Sequence, residues 1–340
     1  MGGNALKSIP LIRLTKNEFE PYTKDVIDKL YTKYSYISPL KYYRDKETFG
    51  DLDLILKRSE LISWDQVREN LKELFQTKET YKNDYTISFE YKNFQVDLIF
   101  AKDDCIETTE FFFAANDLNN LVGRVANAFG LKLGVEGLHY VIRSHHGVLK
   151  KRIEVSKDPQ KIYDFLGYSY NRFLLGFNTT QEIFDFVLSS KYFSSKIFAF
   201  ENLNHTNRTR NRKRVNYTSF VDYIEKIHIN DFEWKNESEY LQQINDFFPE
   251  SHLIDNITKL KENFLKNKEL DSKFTGSTVI ELTELTGSDL GSFIFRYKEY
   301  ILNIFSDFRE YLGLYTKEEI KEHIQKFYKT NTINNLNKQL

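Results

Sequence analysis

Gly50-Asp51-Leu52-Asp53-Leu54-Ile55-Leu56 alternates acidic and apolar residues, then runs apolar. On an extended strand, residues i and i+2 share a face. Asp51 and Asp53 therefore project together, while Leu52 and Leu54 point the other way, into a core. Some forty residues later, Phe94-Gln95-Val96-Asp97-Leu98-Ile99-Phe100 sets one acid among apolar neighbours. Adjacent strands lie about 5 Å apart, so pairing of the two segments brings three carboxylates together. Such a group is self-repelling unless a cation joins it. Hard oxygen donors suit Mg²⁺ or Mn²⁺. Two such ions about 3.5–4 Å apart can activate an attacking hydroxyl and stabilise a departing pyrophosphate. An Asp-x-Asp pair by itself is usually a solvent-facing strand; the preceding Gly50, the apolar flanks and the third Asp favour a metal site.

Working outward, apolar positions at helical spacing predict a helix within 16–35. Ser63 with Gln66 makes a capping box before a helix over Trp64–Phe75. Strands are expected at Thr86–Glu90 and Phe94–Phe100, and again at Leu138–Arg143. Asn116 or Asp117 can cap a helix running to about Phe129. The first part, residues 1–150, is thus a mixed sheet with helices. After Lys150 strand-like alternation fades. Helical patterns follow at 159–167, 179–190, 217–227, 238–247, 254–268, 290–312 and 316–328, so 151–340 reads as a mainly helical second half. The fold class is α+β. Ile162-Tyr163-Asp164-Phe165-Leu166 and Ile183-Phe184-Asp185-Phe186-Val187 echo each other, but two copies are too few for a solenoid.

Composition narrows the function classes. The 340 residues leave room for roughly two domains. Lys and Arg (48) nearly cancel Asp and Glu (49), so any attraction to a polyanion must come from a local patch. The single cysteine, Cys105, excludes an internal disulfide and disfavours a Cys-based zinc site. It sits among Asp103, Asp104 and Glu107, which raise a thiol pKa, the wrong direction for a nucleophile. His145-His146 lack carboxylate partners at ligand spacing. No apolar run reaches the ~18 residues of a membrane span, and the N-terminus shows neither a signal-peptide core nor a myristoylation pattern. A reducing cytoplasm is the expected compartment. The wealth of Phe, Tyr, Asn and Lys fits an A/T-rich genome, viral or of low GC content, and carries no function.

Tyr42-Tyr43-Arg44-Asp45-Lys46-Glu47-Thr48-Phe49-Gly50-Asp51-Leu52-Asp53 resembles the active-site entry of the family X DNA polymerases, the polymerase-β-like branch of the nucleotidyltransferase superfamily. The likeness continues through Phe112-Phe113-Ala114-Ala115-Asn116-Asp117-Leu118-Asn119-Asn120-Leu121-Val122-Gly123-Arg124, and covers about residues 35–190. It implies a polymerase-β-like palm within 1–150, with Asp51, Asp53 and Asp97 binding two Mg²⁺ (or Mn²⁺) ions. Asp97 would also help activate a primer 3′-hydroxyl. By the same likeness Arg44 and Gly50 contact phosphates and Phe112 and Phe113 lie at the sugar. Asp117 and Asn120 lie near the incoming base, and Arg124 reaches the template. The family's Gly-Ser phosphate loop is absent, and Leu40-Lys41 stands in its place. Lys41 can neutralise a phosphate as a point charge. Phe112-Phe113-Ala114-Ala115 also departs from the family's Tyr-Phe-Thr-Gly, which leaves dNTP against NTP open.

In the second half, Arg208-Thr209-Arg210-Asn211-Arg212-Lys213-Arg214 holds five cations and no acid. Counterion release would let Arg208, Arg210, Arg212, Lys213 and Arg214 supply a salt-sensitive affinity for nucleic acid; a solvated loop is the plainer reading. Phe274–Gly291 looks like a turn-helix-turn-helix unit, similar to the helical body of CCA-adding enzymes and bacterial poly(A) polymerases. The expected partners are a nucleoside triphosphate and a DNA (or RNA) 3′ end, with no membrane and no obligate protein partner. The alternatives are a template-independent RNA 3′-end nucleotidyltransferase, a non-catalytic nucleic-acid-binding module, and nucleotide transfer to a protein or small molecule.

Overall fold

The structure is a computed structural model, in which residues 5–61, 63–116, 118–142 and 151–336 are described. In chain order, β1 (Leu14–Thr15) leads into α1 (Lys16–Leu30), then β2 (Ile37–Pro39), β3 (Thr48–Phe49), β4 (Asp51–Lys57) and α2 (Trp64–Phe75). Next come β5 (Thr80–Asn83), β6 (Thr86–Tyr91), β7 (Phe94–Ala101), α3 (Ile106–Phe113) and α4 (Leu118–Ala128). A small sheet follows, formed by β8 (Leu131–Gly134), β9 (Gly137–Ile142) and β10 (Lys151–Ser156). The rest is helical: α5 (Pro159–Phe165), α6 (Tyr170–Leu174), α7 (Thr180–Leu188), α8 (His205–Asn211), α9 (Val215–Ile224) and α10 (Leu241–Phe247). It continues through α11 (Leu253–Lys273), α12 (Gly276–Thr283), α13 (Gly287–Leu302), α14 (Phe308–Leu314) and α15 (Lys317–Leu336).

The main sheet runs β2-β4-β7-β6-β5, with β4 and β7 parallel and the other neighbours antiparallel. Its alternation sorts the side chains. Leu52, Leu54 and Leu56 join Val96, Leu98 and Phe100 in a core with Phe19, Tyr22, Val26 and Leu30 of α1 and Val67, Leu71 and Phe75 of α2. The opposite face carries Ile55, Ile99 and Ala101, packed by Ile106 and Phe113 of α3. Ser63 accepts the Gln66 backbone N–H at 3.1 Å, starting α2 as its sequence predicts. Thr179 likewise caps α7 through the Glu182 N–H, and the Glu182 carboxylate accepts from the Asn178 backbone N–H.

Several elements differ from the sequence reading. Lys151–Ser156 is a strand beyond the point where strands were expected to end; it closes the β8–β9 hairpin into an antiparallel sheet. Gly137 begins β9 at φ 95°, where a Cβ would lie 2.4 Å from the Ser156 carbonyl oxygen, so only glycine admits this close approach. Residues 290–312 are two helices, because Asp307 restarts the chain by accepting the Arg309 N–H. Of the basic run 208–214, residues 208–211 close α8, and Arg212, Lys213 and Arg214 form the turn into α9. The strand expected over Leu138–Arg143 is β9, and Arg143 itself lies outside the described residues.

The chain divides into two compact units, Met1–Ile254 and Asp255–Leu340. The change of character after Lys150 is therefore not where the contacts divide. Aromatic packing explains the difference. Phe129, at the end of α4, touches the rings of Phe165, Tyr192, Trp234 and Tyr240. The fully buried Tyr163 donates to Asn119 Oδ1 at 2.9 Å, and Asn119 Nδ2 donates to the Phe111 carbonyl at 2.6 Å. In the second unit Tyr297, Tyr311 and His323 form a hydrogen-bonded row within a core of Val279, Phe293 and Ile320.

Asn119 links two elements through buried polar atoms, and removing a partner from such a pair costs about 1–3 kcal/mol. Asn119→Ala is expected to lower unfolding free energy by that amount in a denaturant titration. An unchanged midpoint would show that Tyr163 and Phe111 find other partners.

Candidate metal centre

The parallel register pairs Asp53 with Asp97 and Asp51 with Gln95. Antiparallel β6 sets Ser88 on the other side of Asp97. One carboxylate oxygen from each of Asp51, Asp53 and Asp97 lies within 4.8 Å of the other two. This is the arrangement expected from the sequence, and it follows from strand alternation plus one register choice. The donor set suits a hard divalent cation: three carboxylates, partly buried, on one face of a rigid sheet.

The chain holds Asp97 with care. Buried Gln95 donates its Nε2–H₂ to both Asp97 oxygens at 3.0 Å, and Gln95 Oε1 accepts the Ala5 backbone N–H at 2.9 Å. Burial, aided by the Asp51 charge, pushes the Asp97 carboxyl up to about 6, against the hydrogen bonds from Ser88 and Gln95. The metal-free triad is thus under electrostatic stress that a divalent cation relieves. The fit to a metal rests on the geometry, three carboxylates whose oxygens come within reach of a single ion.

Lys46 is the residue that sequence reasoning missed. Its ammonium lies over the Phe49 ring at 4.6 Å and donates to Asn116 Oδ1 at 3.3 Å. Burial pulls its pKa down, while attraction to Asp51 and Asp53 opposes the shift. A cation therefore faces the acids from the segment just before β4. The signal was present, since Lys46 stands between Tyr42 and Phe49 in the same stretch. A lysine in a connecting segment reads as solvent-exposed, and only tertiary packing shows otherwise.

The other expected site residues fall into groups. Gly50 is buried immediately before Asp51, and Lys41 is exposed, its carbonyl accepting the Ala115 N–H. Arg44 donates to Asn178 Oδ1 at 2.7 Å and to the Leu175 carbonyl, so the loop after α6 holds its guanidinium. Phe112 and Phe113 end helix α3 and meet edge to face. Ala115 and Asn116 then turn the chain with positive φ before α4. Phe113 packs beside Ile55 and Ile99, whereas Phe112, Asn120 and Arg124 line a separate cleft. Arg124 donates twice to the Ile197 carbonyl, at 3.0 and 2.9 Å. Asp117 and His145-His146 lie outside the described residues.

The basic run is similarly divided. Arg208 is spent on the carbonyls of Phe200, Glu201 and Leu203, and Arg212 lies over the Phe200 ring. Arg210 is exposed and lines the cleft; Lys213 is exposed and Arg214 is half-buried. Cys105 is buried, and burial raises its thiol pKa, in line with an inert cysteine. Among the described residues no helix is long and apolar enough to cross a membrane.

Set beside known proteins, the chain matches no family model, and no curated protein matches its sequence. The residues of the site carry the functional argument.

Mn²⁺ is expected to bind the protein in calorimetry and to raise its melting temperature, with both effects lost in Asp53→Asn. Affinity should fall as pH drops through about 6, where Asp97 takes up a proton. The sign for metal-free stability is opposite. A carboxyl whose folded pKa exceeds its unfolded value favours folding while protonated, and that advantage is lost as pH rises from 3.8 to about 6. In EDTA at pH 8, Asp97→Asn should therefore be more stable than wild type, by up to about 3 kcal/mol. A less stable variant would contradict this.

Proposed function

We propose that this protein is a metal-dependent nucleotidyltransferase of polymerase-β-like type. It joins a nucleoside monophosphate to the 3′-hydroxyl of a nucleic acid and releases pyrophosphate. The observation that carries the reading is the register that brings Asp53 beside Asp97, with Asp51 completing the carboxylate triad.

When bound at the triad, two Mg²⁺ or Mn²⁺ ions would neutralise the triphosphate and the developing charge on the entering and leaving oxygens. Asp51 and Asp53 would hold the nucleotide-side ion, and all three acids would hold the other. The 3′-oxygen forms a bond to the α-phosphorus as the bond to the β-phosphate oxygen breaks, and pyrophosphate departs. Asp97 would also help to take up the proton of the 3′-hydroxyl. Lys46 supplies a positive charge to the phosphates, with Lys41, which stands where the Gly-Ser loop is missing, and with Arg44 and Gly50 near it in sequence. Phe112, Phe113 and Asn120 bear on the sugar and base, with Asp117, and Arg124 on the template side. As in phosphoryl transfer generally, the protein contributes positioning and charge compensation.

A DNA polymerase of family X type is the preferred form of this reading, on the likeness of the helix-turn-helix Phe112–Arg124. A template-independent RNA 3′-end transferase is the rival within the same chemistry. Incubation with Mg²⁺ or Mn²⁺ and labelled dNTPs or NTPs is expected to extend an acceptor. Primer alone, primer–template, gapped duplex and tRNA, assayed together, separate the two forms. Asp53→Ala and Asp97→Ala should each lose activity by on the order of 10²-fold or more. Wild-type rates in both variants would overturn the reading, and tight binding without incorporation under any metal would leave a binding module.

A further inference from the structure

A second feature lies apart from the three aspartates. From Asp97 to Ala101, β7 advances about 13 Å at ~3.3 Å per residue, and at that end opens a cleft of about 790 Å³. The aspartates are not among its lining residues. Three surfaces converge on it. The small sheet contributes Lys132, His139 and Arg152, which share one face because Lys132 pairs with His139 and Arg152 with Val141. Helix α4 contributes Asn120, Arg124 and Asn127, and α8 contributes Asn207, Arg210 and Asn211. Both sets recur at helical spacing, so each is one helix face.

Six Arg and Lys side chains line the cleft against two acids, Asp84 and Glu136, and Glu136 is ion-paired with Lys102. Glu154, on the same sheet face as Arg152, is ion-paired with Lys157. In a chain of net charge −1, this is a concentrated positive field. The cations also act on one another: burial, then Arg152 and Arg210, depress the Lys132 ammonium. Bringing them together costs free energy that an anion would recover.

Arg124, Asn127 and Asn207 also line a second chamber, of about 630 Å³. Its wall holds the rings of Phe232 and Trp234 and the amides of Asn202 and Asn204. Two buried polar atoms of that wall, Ser194 Oγ and Trp234 Nε1, have no hydrogen-bond partner. Amides beside aromatic faces are the chemistry that reads an unpaired base, while cations follow its phosphates.

We infer that the cleft and chamber form a binding site for single-stranded nucleic acid, with phosphates along Lys132, Arg152 and Arg210 and a base in the chamber beside Trp234. A base must be unpaired to enter a chamber walled by aromatic rings and amides. The inference shares with the proposed function the ligand class, nucleic acid, and the cleft residues Phe112, Asn120 and Arg124. It does not depend on catalysis.

The full-length protein, carrying Trp64→Phe so that Trp234 is the sole tryptophan, is titrated in EDTA with oligo-dT, oligo-rU, a blunt duplex and inorganic polyphosphate. Both single strands should quench the fluorescence, and affinity should fall steeply with salt. Lys132→Gln with Arg152→Gln should weaken binding at least about tenfold and lower the salt slope by about 1 per residue removed. Asp53→Asn should bind as wild type does, which separates failure of this site from failure of the metal centre. The double variant's melting temperature guards against misfolding; if it fails to fold, Lys132→Gln alone is read. Duplex or polyphosphate binding as tightly as the single strands would overturn the inference. So would unchanged binding in the folded variants, or no quenching of Trp234.

Discussion

Parallel pairing of β4 with β7 sets Asp53 and Asp97 at one register position, and a slip of one residue would carry a carboxylate through to the leucine-lined core. That makes the register expensive to change. Each buried Leu contributes about 1.5–3 kcal/mol on leaving water, and Leu52, Leu54 and Leu56 all lie against α1 and α2. Repulsion between two carboxylates at the observed spacing is a few kcal/mol at the effective dielectric of a protein surface. The apolar face therefore wins, and holds the acids in a geometry they would otherwise leave. Burial first, and the Asp51 charge beside it, raise the pKa of Asp97.

Charge is segregated along the first unit even though the chain as a whole is balanced. Acids converge at the start of β4 and the middle of β7, with Lys46 facing them. Cations converge at the far end of β7 and on the small sheet. The arginine-rich run is less uniform in use than in sequence. Arg208 ties together carbonyls of the preceding turn, Arg212 lies over a ring, and Arg210 reaches the cleft. The single letter code shows where positive charge is stored, and the fold decides which part of it faces outward.

Much of the metal site was legible because period-two alternation fixes side-chain direction before any tertiary structure is known. Asp51, Asp53 and Asp97 needed one further choice, that their strands be neighbours. Helices with clear stripes and caps, such as α2 and α7, were equally readable. The strands β2, β5 and β8, of three or four residues, were not, since they carry too few residues to show a period, and β10 was missed although it is as long as β9. Tertiary pairing holds them: β10 exists because β9 lies beside it. Lys46 and the sheet residues Lys132 and Arg152 escaped for a related reason. They are isolated cations in sequence, and folding alone gives them common surroundings. The break at Asn303–Asp307 within 290–312 was hidden by continuous helical periodicity across a capping aspartate.

The account stands most directly on whether the triad seats divalent ions. Crystals grown with Mn²⁺ and a non-hydrolysable nucleoside triphosphate, measured for anomalous scattering from manganese, answer this. The expected result is manganese density bounded by oxygens of Asp51, Asp53 and Asp97 at coordination distance, about 2.0–2.2 Å. Carboxylates turned away from one another, with no manganese between them, would contradict it.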